Sequence, residues 1–222
     1  MNILWINSGE IRNSYISEDI KQFSKALLKW FEKIIQQNTY DPKNPAFQSE
    51  IGDFIVTEKG EIYQKVEGRH GIEGEMIILT QKNDISRGKY INGNLQEGQA
   101  CILSSDGEYY EGKVAQGGVP DGHGTFHYQD GGCYDGPFVE GKRIGKGRLS
   151  YPGNSQFIGQ FINNEPNGNG IFTDSENNRF MTVLATRNNE EHGNFINGKL
   201  FGKGEIRYEN SNKYIGNFKN SK

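Results

Sequence analysis

Cysteine, apolar runs and one-sided charge are all scarce in this chain, and each scarcity excludes something. Cys101 and Cys133 are the only two cysteines among 222 residues, too few for a disulfide framework, so a reducing compartment is expected. No apolar stretch approaches the roughly 18 residues that would cross a membrane, and no secretory leader opens the chain, which predicts a soluble cytoplasmic protein. Residues 1–85 carry ten basic and thirteen acidic side chains, and residues 86–222 carry fifteen of each, for a net charge of −3. A nucleic-acid surface needs clustered Lys and Arg, so nucleic acid is not an expected partner. Hydrophobic residues make up 33% of the sequence and mean hydropathy is −0.76, low for a compact globule with a deep core.

Catalytic chemistry is equally sparse. His123 and His127 lie four residues apart, about 13 Å on an extended strand, too far for one ion to bridge. The glycine-rich GGVPDGHG from Gly117 lacks the Lys-Ser/Thr of a phosphate loop. No Ser, His and Asp arrangement stands out. Enzyme activity, cofactors and metals are therefore not expected, and no residue is given a catalytic role.

Glycine and aromatic residues are abundant instead, at thirty glycines and 12% aromatic content. They recur. Residues 134–153, YDGPFVEGKRIGKGRLSYPG, read aromatic-x-Gly-x-aromatic and then Gly-x-Gly-x-apolar-x-Tyr. YEGKVAQGGVPDGHGTFHY from Tyr110, FIGQFINNEPNGNGIF from Phe157 and HGNFINGKLFGKGEIRY from His192 copy that pattern, and the half-unit YIGNFKN follows from Tyr214. With the first glycine of each unit as anchor, Gly88, Gly112, Gly136, Gly159, Gly193 and Gly216 stand at intervals of 24, 24, 23, 34 and 23 residues. Gly74, Gly98, Gly122, Gly145 and Gly202, the last three opening a Gly-x-Gly, each precede the next anchor by 14 residues. The long interval predicts an insertion over 177–190, an extra strand or a long hairpin lobe. Gly52, Phe54 and Val56 fit the second half of a unit, so the array is expected to span 50–222: degenerate over 50–86, clear over 87–176 and 191–220.

Within a unit the apolar residues alternate with period two, the pattern of strands. The predicted fold is mainly β, an elongated single-sheet antiparallel meander of β-hairpins. Anchor glycines share a face with the rings of Tyr110, Phe126, Tyr134, Phe138, Tyr151, Phe157, Phe161, Phe195, Tyr214 and Phe218, which are expected to stack from unit to unit. These rings read first as core and second as a partner-binding groove, because a single-layer sheet has nothing to cover its aromatic face along its whole length. Lys142, Arg143, Lys146 and Arg148 form one dense basic patch, either a solvated hairpin turn or a dock for an anionic partner or lipid headgroup.

Residues 1–49 differ. Ser17 followed by Glu18 and Asp19 makes an N-cap with acidic residues on the positive end of a helix dipole. Ile20, Phe23, Leu27, Trp30, Phe31 and Ile34 then recur at helical spacing. A helix over about 17–38 is predicted, with Phe23, Leu27, Trp30 and Phe31 as its interface, capping the first hairpin as repeat arrays require. A partner-binding or membrane-surface helix is the other reading of this segment.

The units resemble MORN repeats, the membrane occupation and recognition nexus family, most closely at Tyr110, Tyr134 and His192. The resemblance implies a twisted sheet of hairpins used for protein–protein attachment, often in cilia, cytoskeletal assemblies and membrane junctions, with phosphoinositide binding in some members. On that footing the expected function is a non-catalytic scaffold subunit with protein partners, in a ciliary axonemal or cytoskeletal assembly. The strand ending near Phe218 is expected to offer a free edge for self-association. A membrane-tethering lipid module and a regulatory subunit of an enzyme are the alternatives.

Overall fold

The structure, a computed structural model, describes residues 16–25, 54–56, 62–67, 74–80, 82, 84–182 and 194–219. The chain divides into two compact units, Met1–Val119 and Pro120–Lys222, here unit 1 and unit 2. Unit 1 holds helix α1 over 18–25 and strands β1 (Phe54–Val56), β2 (Ile62–Glu67), β3 (Gly74–Leu79), β4 (Ile85–Ile91), β5 (Asn94–Leu95), β6 (Gly98–Leu103) and β7 (Tyr109–Val114). Unit 2 opens with β8 (Pro120–His127), β9 (Cys133–Val139), β10 (Lys142–Arg143), β11 (Gly145–Ser150) and β12 (Gln156–Ile162). It continues through β13 (Glu165–Thr173), β14 (Arg179–Thr182), β15 (Asn194–Ile196), β16 (Lys199–Arg207) and β17 (Lys213–Phe218).

Each unit is a mainly β, antiparallel meander of hairpins. In unit 1 the pairing runs β1, β2, β3, β4, β6, β7, with β5 folded back on β4. In unit 2 it runs β8, β9, β11, β12, β13, β14, β16, β17; β10 folds back on β9, and β15 pairs with both β13 and β16. The degenerate stretch 50–86 thus supplies β1 to β3. The long interval between Gly159 and Gly193 contains β14, an extra strand laid into the sheet between β13 and β16. Residues 183–190 of the expected insertion lie outside the described residues.

The 14-residue spacing is the strand register. Gly122, Gly124 and Phe126 lie opposite Phe138, Gly136 and Tyr134. Gly145, Gly147 and Leu149 lie opposite Phe161, Gly159 and Phe157, and Gly202, Gly204 and Ile206 opposite Phe218, Gly216 and Tyr214. Turns of one design close these hairpins. The amide of the first turn residue donates to the carbonyl of the fifth, as Tyr128 to Gly132 and Tyr208 to Asn212. Gly131 (φ +90°) and Ser211 (φ +68°) supply the left-handed residue that such a turn needs.

The glycines leave room for rings. Tyr134 lies across Gly136 and Gly147, where an added Cβ on either would stand 2.5 Å from its Oη. The rings meet edge to face, not stacked as expected: Tyr134 with Phe138 and Phe161 at 5.1 and 5.0 Å, and Phe157 with Phe161 and Phe195 at 5.4 and 4.9 Å. That geometry sets the positive edge of one ring on the negative face of the next.

Candidate protein-interaction surface

The ring face is largely interior. Tyr110, Tyr134, Phe138, Phe157, Phe161 and Phe195 are all 3% exposed or less. Phe126, Tyr151 and Phe218 are half-buried, and Tyr214 is 49% exposed. The expectation that the sheet cannot cover its own aromatic face does not hold around Tyr134 and Phe157, because the chain folds back there. β15 brings Phe195 onto Phe157, and β10 brings Arg143 over Tyr134 and Phe161 with 5.5 and 5.7 Å between guanidinium and ring centroids. What stays open on this face is its end on β17, where Tyr214 meets Phe218 edge to face at 5.7 Å.

The basic patch divides between the two faces of the sheet. Arg143 is half-buried; it donates to Tyr128 Oη at 3.0 Å and to the Asn164 carbonyl, and adds a cation–π contact over Tyr128. Its role is to hold the ring core together. Lys146 and Arg148, in β11, are exposed on the opposite, outer face, and Lys142 is exposed in β10.

That outer face carries two rows of side chains running across the strands. In unit 1 one row is Leu79, Ile85, Leu103 and Tyr109, each 1% exposed or less. The other is Ile77, Arg87, Cys101 and Glu111. Helix α1 lies on this face. Asp19 pairs with Arg87 at 2.9 Å, and the Ser17 amide donates to Tyr109 Oη at 3.3 Å. Ile16, Ile20 and Phe23 are buried at 2% exposure or less, as an amphipathic helix on an apolar sheet requires. Among the described residues, these polar contacts of the α1 segment fall on β4 and β7. Leu27, Trp30 and Phe31, the rest of the expected helix interface, lie outside the described residues.

Burial shapes the ionisable groups beneath the helix. It pushes the Cys101 thiol up, and the Tyr109 phenol far above its usual range, while Tyr109 donates to Glu111 at 3.0 Å. In unit 2 burial raises Tyr134 to about 12, partly offset by the Arg143 charge. These groups are structural: Tyr134 Oη donates to the carbonyls of Pro137 and Ile144 at 3.2 and 3.3 Å.

In unit 2 the same two rows have exchanged character. The row equivalent to Leu79–Tyr109 ends in Arg179, Arg207 and Lys213, directly opposite one another on β14, β16 and β17. The row equivalent to Ile77–Glu111 runs Thr125, Asp135, Arg148, Ile158, Ile171, Met181, Glu205, Ile215. Ile171 and Ile215 are 39% and 50% exposed. A groove of about 560 Å³ lies along this row, lined by Lys146, Ile158, Gln160, Ile171, Met181 and Glu205 among others. Sequence reading located Lys146 and Arg148 because they are neighbours in the chain, and missed Arg179, Arg207 and Lys213 because they are not. Counting from the repeat glycines finds two of them: Arg207 stands three after Gly204 and Lys213 three before Gly216, hence opposite each other.

Among the described residues, no three His, Cys, Asp or Glu side chains come together as metal ligands, and no helix is long and apolar enough to cross a membrane. No curated protein sequence matches the chain. Among solved structures it is similar to the SAS-4 (dCPAP) TCP domain of Drosophila melanogaster in complex with a proline-rich motif of Ana2 (dSTIL): 10% identity, 74% of this chain and 88% of that one covered, TM-score 0.36. The TCP10 domain of Danio rerio CPAP, in complex with a peptide of STIL, is similar at 10% identity, 73% and 72% coverage and TM-score 0.34. At such TM-scores these likenesses bear on neither partner nor location. The MORN repeat family model matches residues 110–133, 134–156, 157–179 and 192–213, starting at the four unit boundaries read from the glycine spacing. MORN repeats suggest a protein-binding or membrane-associated module and are non-catalytic. Between residues 110 and 213 the chain carries four MORN repeats.

Proposed function

We propose that the chain is a non-catalytic scaffold subunit that holds other proteins on the open parts of its repeat sheet, within a cytoskeletal or ciliary assembly. The observation that carries this reading is the state of β17. Tyr214 is 49% exposed beside a half-buried Phe218, and among the described residues β17 pairs with β16 alone. A strand edge of this kind presents unpaired backbone groups to an incoming strand, and the two rings give that strand an apolar contact. The cytoskeletal setting rests on the repeat resemblance.

Detergent extraction of cells carrying the tagged chain tests it. Retention in the insoluble cytoskeletal pellet, lost on Tyr214→Ser with Phe218→Ser while circular dichroism is unchanged, is the expected result. Recovery in the soluble fraction would overturn the scaffold reading. Release with membrane lipids, dependent on Lys142, Lys146 and Arg148, would replace it with the lipid one. Sedimentation of the purified chain separates a foreign strand on β17 from a second copy of this one.

A further inference from the structure

We propose that the outer face of unit 2 docks an amphipathic helix from a partner protein, with acidic residues flanking its apolar stripe. This rests on the protein-binding reading above but uses a different surface from the β17 rings. Ile158, Ile171 and Met181 stand opposite one another on three adjacent strands, along the groove of about 560 Å³. Two strand spacings of about 4.8 Å separate the outer pair, close to the roughly 10.5 Å that a helix rises over seven residues. A helix laid across the strands therefore sets residues i, i+3 or i+4, and i+7 on successive members of the row. Continued past Glu205, the same line reaches Ile215.

Charge decides the flanks. Arg148 precedes Ile158 in the row, with Asp135 opposite it on β9; Lys146, opposite Gln160, stands beside the row, and Arg179, Arg207 and Lys213 run along its other side. Like charges directly opposite on neighbouring strands repel. Glu205 answers Arg207 and, at 3.4 Å, Lys213, and Glu209 stands at the margin; among the described residues Arg179, Lys146 and Arg148 have no ion pair. An acidic helix would neutralise them. Unit 1 shows a comparable arrangement, with apolar and charged rows exchanged: its outer face carries buried Leu79, Ile85, Leu103 and Tyr109, the Ser17 amide before α1 donates to Tyr109 Oη, and α1 sets Asp19 on Arg87. A bilayer fits less well, because it needs apolar groups that project beyond the cations, whereas Ile158 and Met181 are only half-exposed in the groove.

The experiment uses the full chain and two synthetic helical peptides with the same leucine stripe, one flanked by Glu and one by Lys, read by fluorescence anisotropy. The Glu peptide is expected to bind at least about tenfold tighter than the Lys peptide, and Ile171→Glu to weaken it by about tenfold or more. Reversing Lys146, Arg148 and Arg207 to Glu should invert the preference. Equal binding of both peptides, or indifference to Ile171→Glu, overturns the proposal. So does binding that Arg87→Glu in unit 1 abolishes and Ile171→Glu does not. A chain that sediments as a dimer, with Ile171→Glu returning it to monomer, would assign the face to a second copy. Phosphatidylserine vesicles bound through Ile171 would assign it to membrane. Tyr214→Ser should leave peptide binding intact, so failure here is separable from failure of the β17 reading.

Discussion

Units 1 and 2 are built on one register, and they differ in what lies on the outer face of the sheet. In unit 1 the row Leu79, Ile85, Leu103 and Tyr109 is apolar and buried, and the segment that opens α1 bonds to it at Tyr109. In unit 2 the equivalent positions hold His127, Cys133, Ser150, Gln156, Thr173, Arg179, Arg207 and Lys213. The ring faces differ in the opposite sense. Unit 2 packs Tyr134, Phe138, Phe157, Phe161 and Phe195 over glycines, whereas unit 1 puts Met76 and Ala100 at the positions of Gly124 and Gly147. One pleated repeat can place its core on either face, because alternate residues point to opposite sides.

The sharpest way to break this comparison is to strip the helix. Phe23→Ala should cost about 3–5 kcal/mol, the range for truncating a buried phenylalanine, and amide exchange should speed in β4 and β7. The parallel Met181→Ala in unit 2 should cost well under half of that, since its half-exposed site already meets solvent. Equal losses would mean that the two outer faces are alike.

On the ring face the order reverses. Gly147→Ala puts a methyl 2.5 to 2.7 Å from the Tyr134 ring, so the ring must move, at about 1–3 kcal/mol. Ala100→Gly, the equivalent site in unit 1, should cost no more than about 1 kcal/mol. Urea unfolding of both variants measures the difference. Arg143→Met removes two hydrogen bonds and three ring contacts and should cost about 1–3 kcal/mol. Lys146→Met, on the solvent side of the same hairpin, should stay within about 0.5 kcal/mol.

Alkaline pH tests burial in both units at once. Tyr109 and Tyr134 have phenol pKa values raised by burial, so the folded state holds their protons more tightly than the unfolded chain does. Their contribution to stability is whole below the unfolded value of about 10 and is lost as pH rises above it. Thermal midpoints should therefore fall between pH 10 and 12, and less steeply in Tyr109→Phe. The smallest effect belongs to the Asp19–Arg87 pair, whose side chains are 47% and 34% exposed. Asp19→Asn should cost about 0.2–1 kcal/mol, and less at high salt.

Much of the fold was legible from residue spacing. Gly122 to Gly136, Gly145 to Gly159 and Gly202 to Gly216 gave the strand register, because a hairpin with a turn of constant length forces constant spacing between facing residues. Ser17 and the acidic residues after it marked the start of α1. The candidate surface was less legible. Arg143 sits beside Lys142 in sequence but turns onto the rings, since successive residues of a strand face opposite ways. Arg179 meets Arg207 only because β14 is laid between β13 and β16, and no local pattern announces which strand an insertion will pair with.

By itself, then, the sequence determined the periodic part of this protein: strand alternation, turn positions, register, and the glycines over which rings lie. Those follow from backbone geometry between near neighbours. Only the tertiary structure decided which face is core and which is surface, since burial depends on segments distant in the chain. The α1 segment meets the outer face of unit 1 at Arg87 and Tyr109, and β10 and β15 fold over the rings of unit 2, while Ile171 and Ile215 on its outer face stay exposed.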